Sequence, residues 1–225
     1  MNSNRSHLMS FDLTGTLAEI AGPSHTQRLA ALSPLPPDDV RKILHEVMGL
    51  KTLPSLDALT PDLVERTCAA LQIDSGELGF GQAPLTPYRL LPGANAVVAA
   101  AAEHGHVALI TNTSVFAEDC LVPVQVGLAP HLAAIHSSWR LGVAKPDPRI
   151  FRSAAAHHGV AVENLVHVGD RWDEDIAPVL ALGGHAMWVT TADDVAGREH
   201  VCVDRLLIVR SLREAAEAMT RRWWA

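Results

Sequence analysis

Cysteine and lysine are both scarce in this chain of 225 residues, with three of each. Cys68, Cys120 and Cys202 are scattered, without the paired spacing of a metal-binding knuckle. An odd, sparse count suits reduced thiols better than a disulfide framework. The opening MNSNRSHLMS lacks the apolar core of a signal peptide. The most apolar helical stretch, around residues 94–102, is far too short to span a bilayer. No repeat or low-complexity tract interrupts the chain, and no excess of base is present: the formal charge is -7. That balance argues against a nucleic-acid backbone as partner but not against a small anion. The expectation is a soluble cytoplasmic protein with neither nucleic acid nor membrane among its partners.

What is present is apolar sequence, 48% of the chain, enough for a substantial core. In the C-terminal half it alternates between two periods. ANAVVAAAAEHG (94–105) reads as a helix closed by Gly105, and HVALITN (106–112) as a short buried strand. PRIFRSAAAHHG (148–159) and DEDIAPVLALGG (173–184) read as further helices, followed by the strands NLVHVGD (164–170) and HAMWVT (185–190). LLIVRS (206–211) and LREAAEAMTRRWW (212–224) complete the series. Apolar strands alternating with helices predict an α/β fold, a doubly wound, Rossmann-like parallel sheet with ligands beyond the carboxyl ends of its strands.

The first strand, about residues 7–11, is separated from this series by some eighty residues. SHTQRLAALS, PDDVRKILHEVMGL and TPDLVERTCAALQI within that interval read as amphipathic helices, the last two with Pro and acid at their starts. GFGQAPLTPYRLLPGA (79–94) reads as a Gly/Pro-punctuated return. Residues 1–19 and 91–225 are therefore expected to form the core, with 20–90 a helical insertion over the carboxyl edge of the sheet.

The chemistry-bearing residues sit at predicted strand ends. FDLTGTL (11–17) ends an apolar lead-in on Asp12, and Gly15 permits a tight turn that exposes it. LITN ends on Thr111 and Asn112, AKPDPRIF carries Lys145, and HVGDRWDED carries Asp170 and Asp175. Taken singly, each reads most simply as a cap, a strand end or a solvated charge. Together, and in this order, they resemble the four signature motifs of the haloacid dehalogenase-like hydrolase superfamily, over nearly the whole chain. The resemblance implies a helical cap inserted after the first motif, a small phosphorylated substrate and Mg²⁺. It implies Asp12 as nucleophile, Thr111 and Lys145 as catalytic groups that meet the transferring phosphoryl group, and Asn112 beside the substrate. Asp12, the Thr14 carbonyl, Asp170 and Asp175 are the implied metal ligands. A hard cation is what such a carboxylate cluster calls for.

Thr14 departs from the pattern, because the family's phosphatases carry there a second Asp that protonates the leaving group and activates water. Loss of a general acid–base typically costs about 10²–10⁴ in rate. Three readings stay open: a slow Mg²⁺-dependent phosphatase or phosphotransferase; a 2-haloacid dehalogenase or phosphonate-type hydrolase using Asp12; and a non-catalytic member that binds a ligand or a protein. His25, Arg28, Arg41, Lys42, His45, Lys51, Arg89, Arg171 and Trp172 are further candidates to border a substrate. His157, His158, Trp223 and Trp224 read as structural.

Overall fold

The computed structural model describes residues 7–78, 88–190, 195, 204–222 and 224. The chain enters through β1 (His7–Phe11), makes a short strand β2 (Ala18–Ile20), and passes into α1 (His25–Leu32), α2 (Pro37–Glu46) and α3 (Pro61–Leu71). It returns through β3 (Tyr88–Leu90) to α4 (Ala94–Ala102), β4 (Gly105–Thr111) and α5 (Val122–Leu128). Then follow β5 (Leu132–Ser137), α6 (Ser138–Leu141), α7 (Pro148–His157), β6 (Leu165–Gly169), α8 (Ala177–Ala181), β7 (His185–Val189), β8 (Leu206–Val209) and α9 (Leu212–Arg221).

Six of these strands form one all-parallel sheet, in the order β5-β4-β1-β6-β7-β8. Side chains alternate across it, as period two requires. Met9 and Phe11 of β1, Val107 and Leu109 of β4, and Val166 and Val168 of β6 pack on α4, α5 and α9. Leu8, Ala108, Ile110 and Leu165 pack on the opposite face, against α7 and α8. Both faces are covered, which is why the strands read as nearly continuous apolar runs.

The helical segment between β2 and β3 buries a cluster of its own. Leu29 of α1, Val40 and Leu44 of α2, and Cys68 and Leu71 of α3 meet there with Met48 and Leu78. Its helices begin on local signals: Ser24 forms a capping box with Gln27, and the Thr60 hydroxyl accepts from the Leu63 N–H.

Several boundaries differ from the sequence reading. Helix α4 stops at Ala102, and Gly105 opens β4, where it lies opposite His7 with no room for a side chain. The stretch between β4 and α7, irregular in sequence, contains the edge strand β5 and two short helices. β2 and β3 pair as an antiparallel two-stranded ribbon that the sequence reading missed. The expected helix over 173–184 is a π turn, Trp172–Ile176, followed by the five residues of α8. The return segment 79–87 and Trp223 lie outside the described residues. Among those described, no helix is long and apolar enough to cross a membrane.

Candidate active site

β1 is the central meeting point, with β4 on one side and β6 on the other, so the carboxyl ends of three adjacent strands converge. Asp12 follows β1, Thr111 ends β4, and Asp170 follows β6. The Asp12 N–H donates to the Val168 carbonyl at 2.8 Å, which extends the ladder one residue and fixes where the carboxylate emerges. The loop then closes tightly, with the Leu17 and Ala18 N–H groups both donating to the Leu13 carbonyl. Gly15 sits at φ +89°, and a Cβ there would lie 2.5 Å from Asp170 Oδ2. Only glycine combines that conformation with that approach. The Thr16 hydroxyl donates to Asp170 Oδ1 at 3.0 Å and orients it.

Lys145 reaches this point from the loop before α7. Its Nζ donates to Asp12 Oδ1 at 2.5 Å and to Asp175 Oδ1 at 2.6 Å, and all three side chains are at least nine-tenths buried. Asn112 holds the lysine in place: its Oδ1 accepts from the Lys145 N–H at 2.8 Å and its Nδ2 donates to the Lys145 carbonyl at 2.9 Å. Nδ2 also donates to Glu174 at 3.0 Å. Asn112 therefore positions Lys145, and it also lines the cavity above the site.

Asp175 has a further support that the sequence reading missed. His167 Nε2 lies 3.5 Å from Asp175 Oδ1, and His167 Nδ1 lies 2.8 Å from Ser10 Oγ. Ser10 and His167 are register partners on β1 and β6 and fully buried. Since a carboxylate only accepts, the network puts the imidazole proton on Nε2 and has the Ser10 hydroxyl donate to Nδ1. The signal in the sequence was a lone His inside the apolar run NLVHVGD.

Burial pushes the Asp12 carboxyl up to about 7, against the pull of Lys145 and with the help of the Asp175 and Asp170 charges. Burial works the same way on Asp175, but Lys145 and His167 outweigh it and hold that carboxyl well below the usual range. Asp170 is raised, chiefly by burial, with the Thr16 hydrogen bond opposing. Burial alone would depress Lys145, and the two carboxylates it touches reverse this and raise it. One ammonium thus faces three carboxylates. Asp12, Asp170 and Asp175 each offer an oxygen within 4.8 Å of the others'. A donor set made only of oxygen, crowded and under-neutralised, fits a hard divalent cation.

Above these groups lies a cavity of about 900 Å³, walled on the core side by Asp12, Thr14, Thr111, Asn112, Asp170 and Asp175. His25, Arg28, Arg41, His45, Lys51 and Arg171 also line it. Lys51 is tied across to the core: its Nζ lies 3.6 Å from Glu174, and its carbonyl accepts from the Ser138 hydroxyl at 2.6 Å. Burial, before the charge of Arg28, lowers His25 to about 4, and burial, before Lys51, lowers His45. The other candidates fall elsewhere. Arg89 pairs with Glu19 on the β2–β3 ribbon, Lys42 is exposed, and Trp172 packs on Trp188 with ring centroids 5.0 Å apart. His157 and His158 make ring contacts with His136, and Trp224 is buried against His104.

The model of the haloacid dehalogenase-like hydrolases matches residues 7–183, which takes in every one of the converging groups. The chain belongs to the haloacid dehalogenase-like hydrolases. This hydrolase is 38% identical over 110 residues to the phosphoserine phosphatase of Thermus thermophilus, a match covering 45% of the chain and 41% of that relative's length. It is 23% identical over 201 residues to the glyceraldehyde 3-phosphate phosphatase of Methanothermobacter thermautotrophicus, over 85% of the chain and 88% of the relative. Among solved structures, the 2-haloacid dehalogenase of Pseudomonas syringae superposes with a TM-score of 0.62 at 23% identity, over 97% of this chain and 99% of that one. That level of identity speaks for the fold alone.

Proposed function

We propose that this hydrolase is a Mg²⁺-dependent phosphatase or phosphotransferase for a small phosphorylated metabolite, with Asp12 as nucleophile. The observation that carries the reading is the single cluster of Asp12, Asp170, Asp175 and Lys145 at the carboxyl edge of the sheet. A dehalogenase has no need of a third carboxylate beside its nucleophile, because halide leaves without a metal to neutralise phosphate. The phosphatase names of the two relatives support the same class.

Asp12, Asp170, Asp175 and the Thr14 carbonyl would hold the metal. Magnesium, when bound, supplies the positive charge that lets a carboxylate approach a phosphate anion. The remaining steps fall to the chain's own groups. Lys145 keeps the Asp12 carboxylate aimed and neutralises charge on the transferring group, while the Thr111 hydroxyl donates to a phosphoryl oxygen. Asp12 attacks phosphorus, the ester oxygen leaves, and an aspartyl phosphate results. Asn112 fixes Lys145 through its backbone, and His167 with Ser10 fixes Asp175. Residues 20–90 act as a cap whose basic face, including Arg28, Arg41 and Lys51, meets the rest of the substrate. Thr14 offers no base for the water that must release the phosphate, so turnover is slow.

The test is trapping. Wild type and Asp12→Asn are incubated with acetyl phosphate and Mg²⁺, quenched in acid and weighed by intact mass spectrometry. A phosphoryl adduct on wild type alone is the expected result. Thr14→Asp should then shorten the adduct's life and raise turnover about 10²-fold, the usual worth of a general acid–base. Neither adduct nor released phosphate in either protein would overturn the proposal.

A further inference from the structure

Thr14 has a neighbour distant in sequence. Tyr88, the single tyrosine of the chain, opens β3, whose pairing sets it opposite Ile20 of β2 and so beside the loop that follows β1. The Thr14 hydroxyl donates to the Tyr88 phenol oxygen at 3.3 Å. Both residues line the cavity with Asp12, yet Tyr88 is only 8% exposed. Two hydroxyls carry two protons, and the bond between them uses one. Among the described residues no acceptor takes the other. Buried hydroxyl groups are ordinarily satisfied, so a proton left over at a cavity wall points to an acceptor on a ligand. The phenol is the stronger donor of the two.

We propose that the Tyr88 phenol, anchored by Thr14, is the hydrogen-bond donor to the leaving oxygen of the phosphate ester, where other members use a carboxylic acid. This rests on the phosphatase reading above. As the bond from an Asp12 oxygen to phosphorus forms, the bond from phosphorus to the ester oxygen breaks, and its electron pair stays on that oxygen. The phenol stabilises the growing charge by hydrogen bonding and keeps its own proton; the departing alkoxide takes a proton from water. A neutral phenol cannot accept a proton from attacking water, so the donor assists formation of the aspartyl phosphate and not its hydrolysis.

The dependence of rate on the leaving group tests this. With Mg²⁺ present, kcat/KM is measured for p-nitrophenyl phosphate, phenyl phosphate and glycerol phosphate, using wild type, Tyr88→Phe, Thr14→Val and Thr14→Ser. A hydrogen bond to a charged group predicts that Tyr88→Phe loses about 10- to 100-fold on glycerol phosphate. On p-nitrophenyl phosphate, whose leaving group is already a stable anion, the loss should stay within about twofold. Thr14→Val should show the same pattern, smaller, and Thr14→Ser should keep the wild-type dependence. If Tyr88→Phe fails to fold, Thr14→Val against Thr14→Ser carries the comparison. A uniform loss across the three esters, or none, overturns the role of Tyr88 and leaves the phosphatase reading intact. No ester turnover by wild type and no adduct on Asp12 overturns both.

Discussion

Replacing Asp12 with Asn should remove a pH-dependent weakness of the metal-free fold. The Asp12 carboxyl, ordinarily near 3.8, is pushed up to about 7 by burial and by the neighbouring acids, so the folded state holds its proton more tightly than the unfolded chain does. For a raised pKa the contribution to stability is complete below the ordinary carboxylate value and is lost as pH rises through the folded value. Integrated from pH 5 to pH 8, that loss is about 2.5 kcal/mol. Asp175, held below the usual range, behaves in the opposite sense and gives way only in acid, outside this window. The histidines, none of which shifts Asp12, are shared by both proteins and cancel in the difference. The wild-type protein should therefore lose about 5–10 °C in Tm relative to Asp12→Asn as pH goes from 5 to 8. The assay is thermal unfolding of both proteins in EDTA at unit intervals of pH. Parallel curves, or a gap that moves the other way, would refute the account of Asp12 as a buried carboxylate under-neutralised by Lys145. Magnesium at a hundred times its Kd should restore about 2.7 kcal/mol to wild type at pH 8, and less to the Asn variant.

Three other changes follow from the same geometry. Lys145→Met leaves Asp12 and Asp175 buried against each other without their cation, and should cost about 3–5 kcal/mol by urea denaturation at pH 8 as well as abolishing the phosphoryl adduct. Gly15→Ala forces a Cβ into Asp170 at an unfavourable φ, so Mg²⁺ should no longer raise Tm even where the variant folds. His167→Phe keeps an aromatic ring but removes a support of Asp175; a Mg²⁺ titration followed by thermal shift should show affinity weakened about 10-fold or more.

The legible part of the site was the part that strand ends determine. Asp12, Thr111 and Asp170 each follow or end an apolar run, and in a parallel sheet such positions share one edge wherever the strands fall in its order. Lys145 came only from the family resemblance, because its place depends on Asn112 gripping its backbone from another loop. The edge strand β5 was hidden because LAAIHS is only half buried, so it lacks the solid apolar run of the central strands. The β2–β3 ribbon was hidden because three-residue strands carry too little pattern to see. Tyr88 could not have been matched to Thr14 from sequence, since their contact is made across seventy-four residues.

Asp175 shows most clearly where residue type and geometry part. The spacing from Asp170 to Asp175 suggested a capped helix start, yet an ordinary α-helical turn is not what the chain adopts there. Trp172–Ile176 winds as a π turn, in which one extra residue per turn swings the carboxylate back towards β6. Gly169 makes that possible, because any side chain on it would occupy the space the Asp175 side chain fills. The Arg171 N–H then donates to Asp175 Oδ2 at 3.0 Å, while Lys145 and His167 address Oδ1. A wider turn forms fewer good backbone hydrogen bonds than an α-helical one, and these three polar contacts offset that cost. The irregular turn therefore persists because the charged cluster holds it, which makes the cluster a structural element of the strand edge as well as its chemistry. Removing Lys145 should loosen the turn itself, visible as faster amide hydrogen exchange at residues 172–176 than at α7, whose hydrogen bonds do not depend on the cluster.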